Sequence, residues 1–286
     1  MFPCIEQSWR QLRGRRGSIL FVAVGAVLVL SILALGATSS VMQELRLAQA
    51  VVRSSQIVPA ALAAKTLAQY VLAYDETPTC IVQYDLETRE VPFGDKRLRI
   101  ELFDEQSLLP LPQASGGELV RLPGLDDGAV AGNLAEAEIC VKEDATRVSG
   151  VTPEIYAQFA PYVTTFSDGS VNINTAGPAC LTALGMDKAL IEAIQDLRAG
   201  DDGTWGTEDD FWFLTPASIA PALQDYKGIG AEDAALISAL VAQNKLGTSS
   251  GYIRVTATLL KGARVEAKAA LVAQLASDRI VAWYEE

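Results

Sequence analysis

The chain opens with a long apolar run and continues in an amphipathic pattern. No charged residue occurs between residues 17 and 43, and residues 18–38 are mostly Ile, Leu, Val and Ala. About 20 such residues span a bilayer core as a helix. Residues 39–74 keep apolar positions at helical spacing, and Pro59 should kink or restart that helix. The pattern predicts one long N-terminal helix, apolar first and amphipathic afterwards.

The remaining pattern predicts a small sheet interrupted by helices. Residues 98–103 alternate apolar and charged side chains, as a half-buried strand does. Residues 110–132 are rich in Pro, Gly and Asp and indicate a loop, whereas residues 154–159, 177–199 and 231–244 have helical patterns. Strand patterns return at residues 252–261, 264–274 and 279–284. A helical block inserted within an antiparallel sheet is an α+β fold.

The residues before the apolar run form a basic leader. Four arginines stand against one glutamate in residues 1–17, so the positive-inside rule keeps this end in the cytoplasm. Two interpretations fit: an uncleaved signal anchor, or a prepilin-like leader cut between Gly17 and Ser18, before the apolar helix. Prepilins usually carry glutamate at the fifth mature position, which is Val22 here. That departure weakens the prepilin interpretation or indicates a subunit that stacks onto no predecessor.

Composition excludes several kinds of chemistry. The formal charge is -12, and without the leader 19 basic against 34 acidic side chains give -15. Such a domain should repel nucleic acid and attract cations. The chain has no histidine, which excludes Ser-His-Asp catalysis and histidine-ligated zinc. Beyond Cys4, the cysteines Cys80, Cys140 and Cys180 leave open one disulfide with a spare thiol or three buried thiols.

Two segments precede predicted helices, and one of them, Lys227–Gly230 with Ala234 and Ile237, has the glycine spacing of a helix-hairpin-helix unit. The segment 171–176 (Val-Asn-Ile-Asn-Thr-Ala) precedes a helix and offers Asn174 or Thr175 as its N-cap. Gly228 and Gly230 precede another helix, where exposed amides can hold an anion such as a DNA phosphate. Acidic residues flank these turns, and few Lys or Arg are available for phosphate contacts. Structural hairpins are therefore preferred over DNA contact.

An acidic, glycine-rich segment at residues 200–210 is a candidate metal site. Asp201, Asp202, Asp209 and Asp210 would supply carboxylate oxygens, and carbonyls near Thr204 and Thr207 would complete the shell. Calcium takes six to eight oxygen ligands on flexible loops. The segment lacks the EF-hand register. A solvated acidic loop is the alternative to a calcium site.

Taken in order, these features resemble minor pseudopilin K of the bacterial type II secretion system, in the general secretion pathway protein K family. The resemblance is carried by Arg-Arg-Gly before the apolar helix, by the non-glutamate Val22, by the strand at 98–103, by residues 151–164 and 171–198, and by the terminal strands ending in Ile-Val-Ala-Trp at 280–283. The Asn-Ile-Asn-Thr-Ala segment is also found in competence-type DNA receptors.

The resemblance implies a domain plan and a fold. It divides the chain into a prepilin leader (1–17), a transmembrane helix (18–38), an amphipathic helix with the first strands of a pilin-like core (39–110), an inserted helical domain of helix-hairpin-helix or SAM-like type (111–247), and the closing strands of the core (248–286). The expected fold class is α+β, a pilin-like long helix with a small antiparallel sheet and an inserted helical domain.

The resemblance also implies a non-enzymatic function. The protein would be a single-pass protein of the bacterial inner membrane with its C-terminal domain in the periplasm, processed by prepilin peptidase and N-methylated. It would join minor pseudopilins I and J and other secretion components at the pseudopilus tip, initiating or capping assembly for protein export. Independently of the resemblance, the acidic segment makes calcium the expected cofactor, and the acidic charge makes nucleic acid an unexpected partner. The alternative is a membrane-anchored helix-hairpin-helix receptor for incoming DNA.

Overall fold

The computed structural model describes residues 6–74, 89–205, 207 and 209–285. Contacts divide the chain into two compact units, residues 1–55 and 56–286. The described part of the first unit is helical throughout and belongs to α1 (Glu6–Tyr74). The second unit holds the end of α1 and every other helix and strand given below.

Helix α1 continues through Pro59 rather than restarting there. Proline inside a helix removes one backbone hydrogen bond and costs about 3 kcal/mol or more. Around it, Ile57, Ala60, Ala61 and Ala64 are buried against the sheet. Burial of this helix face offsets the cost of the proline, which the local pattern alone did not indicate.

A five-stranded antiparallel sheet covers this part of α1. Its strands are β1 (Arg89–Phe93), β2 (Lys96–Asp104), β7 (Tyr252–Lys261), β8 (Arg264–Gln274) and β9 (Arg279–Glu285), in the order β1-β2-β7-β8-β9. Alternate residues of β2, including Leu98, Ile100 and Leu102, are buried against α1, which is the half-buried alternation predicted for this strand. The long strands of the sequence-predicted sheet are therefore confirmed.

The segment between β2 and β7 forms a separate hydrophobic core. Its elements are β3 (Leu109–Pro110), α2 (Gly116–Leu119), α3 (Gly128–Glu136), α4 (Pro153–Phe159), β4 (Val163–Thr164), β5 (Val171–Asn172), α5 (Pro178–Ala183), α6 (Lys188–Arg198), α7 (Ile219–Lys227), α8 (Ala231–Ala242) and β6 (Leu246–Gly247). Strands β3 and β4 pair in parallel, as do β5 and β6. The chain is thus a mixed α+β protein in which helices interrupt an antiparallel sheet, as predicted. The domain limits drawn from the sequence remain predictions.

Two local predictions in this segment are wrong. Residues 110–132 contain α2 and the start of α3 rather than loop alone, because Glu118 forms a capping box with Ser115 and Asp127 caps α3. The predicted helix at 177–199 is two helices. Gly185 has φ +93°, which a right-handed helix cannot accommodate, and the Asp187 carboxylate then accepts the Leu190 N–H to start α6.

Candidate functional site

The three residues that bear on processing and assembly all lie in α1. Gly17, Ser18 and Val22 fall within its unbroken helical span, and the Val22 side chain is 70% exposed. Residues Leu20–Gln69 of α1 form a helix long and apolar enough to cross a membrane by length and composition. The exposed apolar surface of this helix is compatible with a single membrane anchor. Cleavage between Gly17 and Ser18 remains a prediction.

A buried carboxylate joins the sheet to the helical segment. Asp104, the last residue of β2, is 3% exposed. Its Oδ1 accepts hydrogen bonds from the Gln106 backbone N–H, at 2.8 Å, and from the Ser250 hydroxyl. Its Oδ2 accepts from the Asn172 side-chain amide, at 3.0 Å, and from the Thr175 hydroxyl. We call these five residues the Asp104 hub.

Burial changes the pKa of the carboxyl group at the centre of this hub. Desolvation raises the pKa of the Asp104 carboxyl above its usual value, although the four donors each act to lower the pKa. The donors come from the chain directly after β2, from the 172–175 segment and from the residues just before β7. A carboxylate tied down in this way fastens three chain segments together. These hydrogen bonds make Asp104 a structural junction.

The Asn-Ile-Asn-Thr-Ala segment supplies that junction and does not cap a helix. The N-cap of α5 is Gly177, so the predicted N-cap role of Asn174 or Thr175 is wrong. The fully buried Asn174 amide instead donates to the carbonyls of Phe213, at 3.0 Å, and Thr248, at 2.9 Å, and accepts the Phe213 N–H at 3.0 Å. The polar residues of this segment are therefore used for tertiary cross-links.

The acidic segment is organised around Asp209. Its Oδ2 accepts the backbone N–H groups of Asp201, at 2.7 Å, and Asp202, at 3.1 Å, and its Oδ1 accepts the Thr207 hydroxyl at 2.7 Å. The Thr207 hydroxyl also lies 3.3 Å from Asp210 Oδ1. Hydrogen bonds from Thr207 and then from the loop backbone lower the pKa of Asp209, so it is ionised at neutral pH. Asp201, Asp202, Asp209 and Asp210 thus share one turn.

This arrangement does not by itself form a calcium shell. In the part of the loop that the structure describes, which omits residues 206 and 208, no three acidic side chains lie close enough together to hold a metal ion. The Asp209 oxygens face N–H and O–H donors of the loop, and the Asp202 carboxylate accepts the Thr204 N–H. Calcium binding would require these carboxylates to exchange such donors for the cation. It remains a prediction.

Helices α7 and α8 meet at the glycines singled out in the sequence. Gly228 has φ +65° and ends α7, and Gly230 precedes α8. The first turn of α8 carries Glu232 and Asp233, and Lys227 pairs with Asp196 at 3.3 Å. Carboxylates beside a helix N-terminus oppose a phosphate there, because they take the place of the anion that the helix dipole favours.

The two cysteines in the described residues are free thiols. Cys140 is exposed, whereas Cys180 is buried, and burial raises the pKa of the Cys180 thiol to about 11. A thiol with that pKa stays protonated and unreactive near neutral pH. Cys4 and Cys80, and with them the predicted disulfide alternatives that involve Cys80, lie outside the described residues.

Comparison with known proteins finds a structural relative and no sequence relative. No protein-family model and no curated protein matches the chain. Four chains of solved structures match it. One belongs to the crystal structure of the GspK-GspI-GspJ complex from the enterotoxigenic Escherichia coli type 2 secretion system, with a TM-score of 0.55 and 16% identity over 82% of this chain and 99% of that chain. The chain therefore has a pseudopilin-like fold.

Proposed function

We propose that this chain is minor pseudopilin K of a type II secretion system, a non-enzymatic subunit at the tip of the pseudopilus that initiates or caps its assembly for protein export. The observation that carries the proposal is the helical segment inserted between β2 and β7 of a sheet packed on a long N-terminal helix. This fold is similar to a chain of the GspK-GspI-GspJ complex over nearly the whole of that chain.

The apolar helix supports a tip position. A glutamate at the fifth mature residue would neutralise the terminal amine of a neighbouring subunit, and the chain has Val22 there. A carboxylate in the bilayer core costs a few kcal/mol unless it is paired. A subunit that stacks onto no other gains nothing from that carboxylate. An inserted helical segment would also obstruct the addition of a further subunit.

The partners follow from the same proposal. The solved relative is in a complex with two further subunits, GspI and GspJ, and we propose minor pseudopilins I and J as partners of this chain. Prepilin peptidase would cut and methylate the N-terminus. The mature protein would cross the bacterial inner membrane once and hold residues beyond the apolar helix in the periplasm.

Intact-mass analysis of the mature protein tests the class. We expect the chain purified from a host with a prepilin peptidase to start at Ser18 and to carry one N-methyl group. Gly17→Glu should block the cut because a large charged side chain then precedes the scissile bond, and Gly14→Glu, the same change three residues earlier, should not. A mature chain that starts at Met1 would identify an ordinary signal anchor and contradict the proposal.

Membrane-anchored DNA receptors remain the alternative. A gel shift of the full chain in non-ionic detergent at low salt separates the two, because electrostatic DNA binding is strongest there. We expect no shift at micromolar protein, since Glu232 and Asp233 stand at the start of α8 and the chain carries a net charge of -12. A clear shift that disappears at higher salt would favour the receptor.

Calcium is a separate part of the proposal. We propose that Asp201, Asp202, Asp209 and Asp210 bind Ca²⁺ through carboxylate oxygens, with loop carbonyls completing the shell. The support is the presence of these four aspartates within ten residues of one glycine-containing segment, and calcium would have to replace the loop N–H donors that Asp209 accepts. Failure of calcium binding would leave the pseudopilin proposal intact.

A further inference from the structure

A cleft with basic side chains opens beside the sheet in this acidic protein. Its volume is about 330 Å³, near the lower limit for small-ligand sites. Lys142, Arg254 and Lys268 contribute three positive charges to its lining, and Glu105 and Glu143 contribute two negative charges. We call it the cationic cleft. Its lining has a net positive charge, whereas the whole chain has a formal charge of -12.

Arg254 is held in position by a buried carboxylate. Glu105 is 1% exposed, and its Oε1 accepts a hydrogen bond from Arg254 Nε at 2.7 Å. Arg254 Nη2 lies 2.5 Å from the same oxygen in an ion pair. The other oxygen, Oε2, accepts the Thr164 hydroxyl at 2.5 Å. A guanidinium has five N–H donors, so this pairing orients Arg254 and leaves further N–H donors that Glu105 does not accept.

Lys142 is the cation in the cleft for which the described residues provide no hydrogen bond or close ion pair. It is half-buried at the start of the turn Lys142–Arg147, and it makes no hydrogen bond or ion pair with any other described residue. Burial, and then the neighbouring Arg254, lower the pKa of Lys142, although Glu105 and Glu143 oppose the shift. A half-buried ammonium without a paired anion is unfavourable, and an added anion would relieve this cost.

Hydroxyl groups in the lining add hydrogen-bond donors to the cleft. Thr165, Thr256 and Tyr284 supply O–H donors beside the three basic side chains. Carboxylates are bound by such combinations of ammonium, guanidinium and hydroxyl donors. We propose that the cationic cleft binds a carboxylate group, with Lys142 as its ion-pair partner and Arg254, oriented by Glu105, as a second donor. This binding site goes beyond the proposed tip function and does not depend on it.

Such a carboxylate has two sources that one experiment can separate. The full chain in non-ionic detergent is titrated with sodium succinate, a free organic acid, or with the peptide acetyl-Gly-Glu-Gly-amide, which presents a glutamate side chain. Sodium chloride at the same ionic strength is the reference. Thermal unfolding and isothermal calorimetry report binding, because a ligand that binds the folded state alone raises the melting temperature with its concentration.

The expected result is saturable binding of at least one probe that depends on Lys142. Lys142→Gln should weaken it at least tenfold, and Lys142→Arg should largely restore it. The control is Lys188→Gln, which makes the same charge change at an exposed i,i+4 pair with Glu192 and should bind as the unmutated chain does. Without ligand, Lys142→Gln should melt at the same temperature or higher, because it removes an unpaired ammonium.

Each outcome either identifies the source of the carboxylate or overturns the inference. Stronger binding of the peptide assigns the carboxylate to an acidic side chain of a partner protein. Equal or stronger binding of succinate assigns it to a free organic acid. The inference is overturned if neither probe raises the melting temperature beyond sodium chloride, or if Lys142→Gln binds as tightly as Lys188→Gln.

Discussion

Replacing Asn174 with alanine tests whether the Asn-Ile-Asn-Thr-Ala segment is a tertiary cross-link. The Asn174 side chain is fully buried and makes three hydrogen bonds to backbone groups of Phe213 and Thr248. Alanine would leave one N–H and two carbonyl groups without these partners. A buried polar group left unsatisfied costs roughly 1–3 kcal/mol.

The expected loss of stability is therefore large. Because each carbonyl oxygen keeps a second lone pair, we expect Asn174→Ala to lower the free energy of unfolding by about 3–5 kcal/mol. For a unit of this size each kcal/mol shifts the melting temperature by about 2–4 °C, so a fall of about 6–20 °C is expected. Thermal unfolding of the full chain in non-ionic detergent, followed by tryptophan fluorescence, measures it.

Two further variants sharpen the test. Asn133→Ala is the matched control, because Asn133 is exposed and makes one hydrogen bond, to the Ser149 carbonyl at 3.1 Å. Its cost should stay below about 1 kcal/mol. Asn174→Asp keeps an acceptor for the Phe213 N–H but turns a carboxylate toward two carbonyl oxygens, so it should destabilise at least as much as alanine. Equal melting temperatures for Asn174→Ala and Asn133→Ala would refute the reasoning.

Three other predictions concern assembly, calcium and pH. Val22→Glu should still insert and be cleaved, yet bring no gain of function, because no subunit is expected to pair with its carboxylate; long filaments formed by this variant alone would contradict the capping role. Millimolar calcium should raise the melting temperature relative to EDTA, and Asp209→Ala with Asp210→Ala should abolish the rise; equal temperatures for the unmutated chain would identify a solvated acidic loop. Because the pKa of Asp104 is raised above 3.8 in the folded state, its contribution to stability is full below that value and is lost as the pH rises through the folded pKa. In urea unfolding, Asp104→Asn should therefore lower the free energy of unfolding most at acid pH and least at neutral pH. A loss that grew toward neutral pH would contradict this prediction.

Much of the fold could be predicted because its signals are local. The apolar run in residues 18–38, the alternation in β2, and the strand patterns of β7, β8 and β9 each depend on side chains a few positions apart. Periodicities of 2 and 3.6 residues determine which side chains share a face, and burial of that face follows. The acidic turn around Asp209 could also be found, because its members lie within ten residues of one another.

Local signals were insufficient where tertiary packing competes with propensity. Pro59 indicated a break in α1, but burial of the helix face around it outweighs the lost hydrogen bond. Asn174 and Thr175 are residue types that favour helix N-caps. In the structure their side chains instead form hydrogen bonds with Asp104, Phe213 and Thr248. A short polar side chain satisfies either role, so the sequence cannot choose between them.

The sequence by itself determined the kind of protein: a membrane-type apolar helix followed by an acidic α+β domain without histidine. Only the tertiary structure decided which polar groups meet. The Asp104 hub joins residues up to 146 positions apart, and the Glu105–Arg254 pair spans 149. Contacts over such separations depend on how β2 and β7 align after the helical segment has folded between them, which periodicity within a short window does not encode.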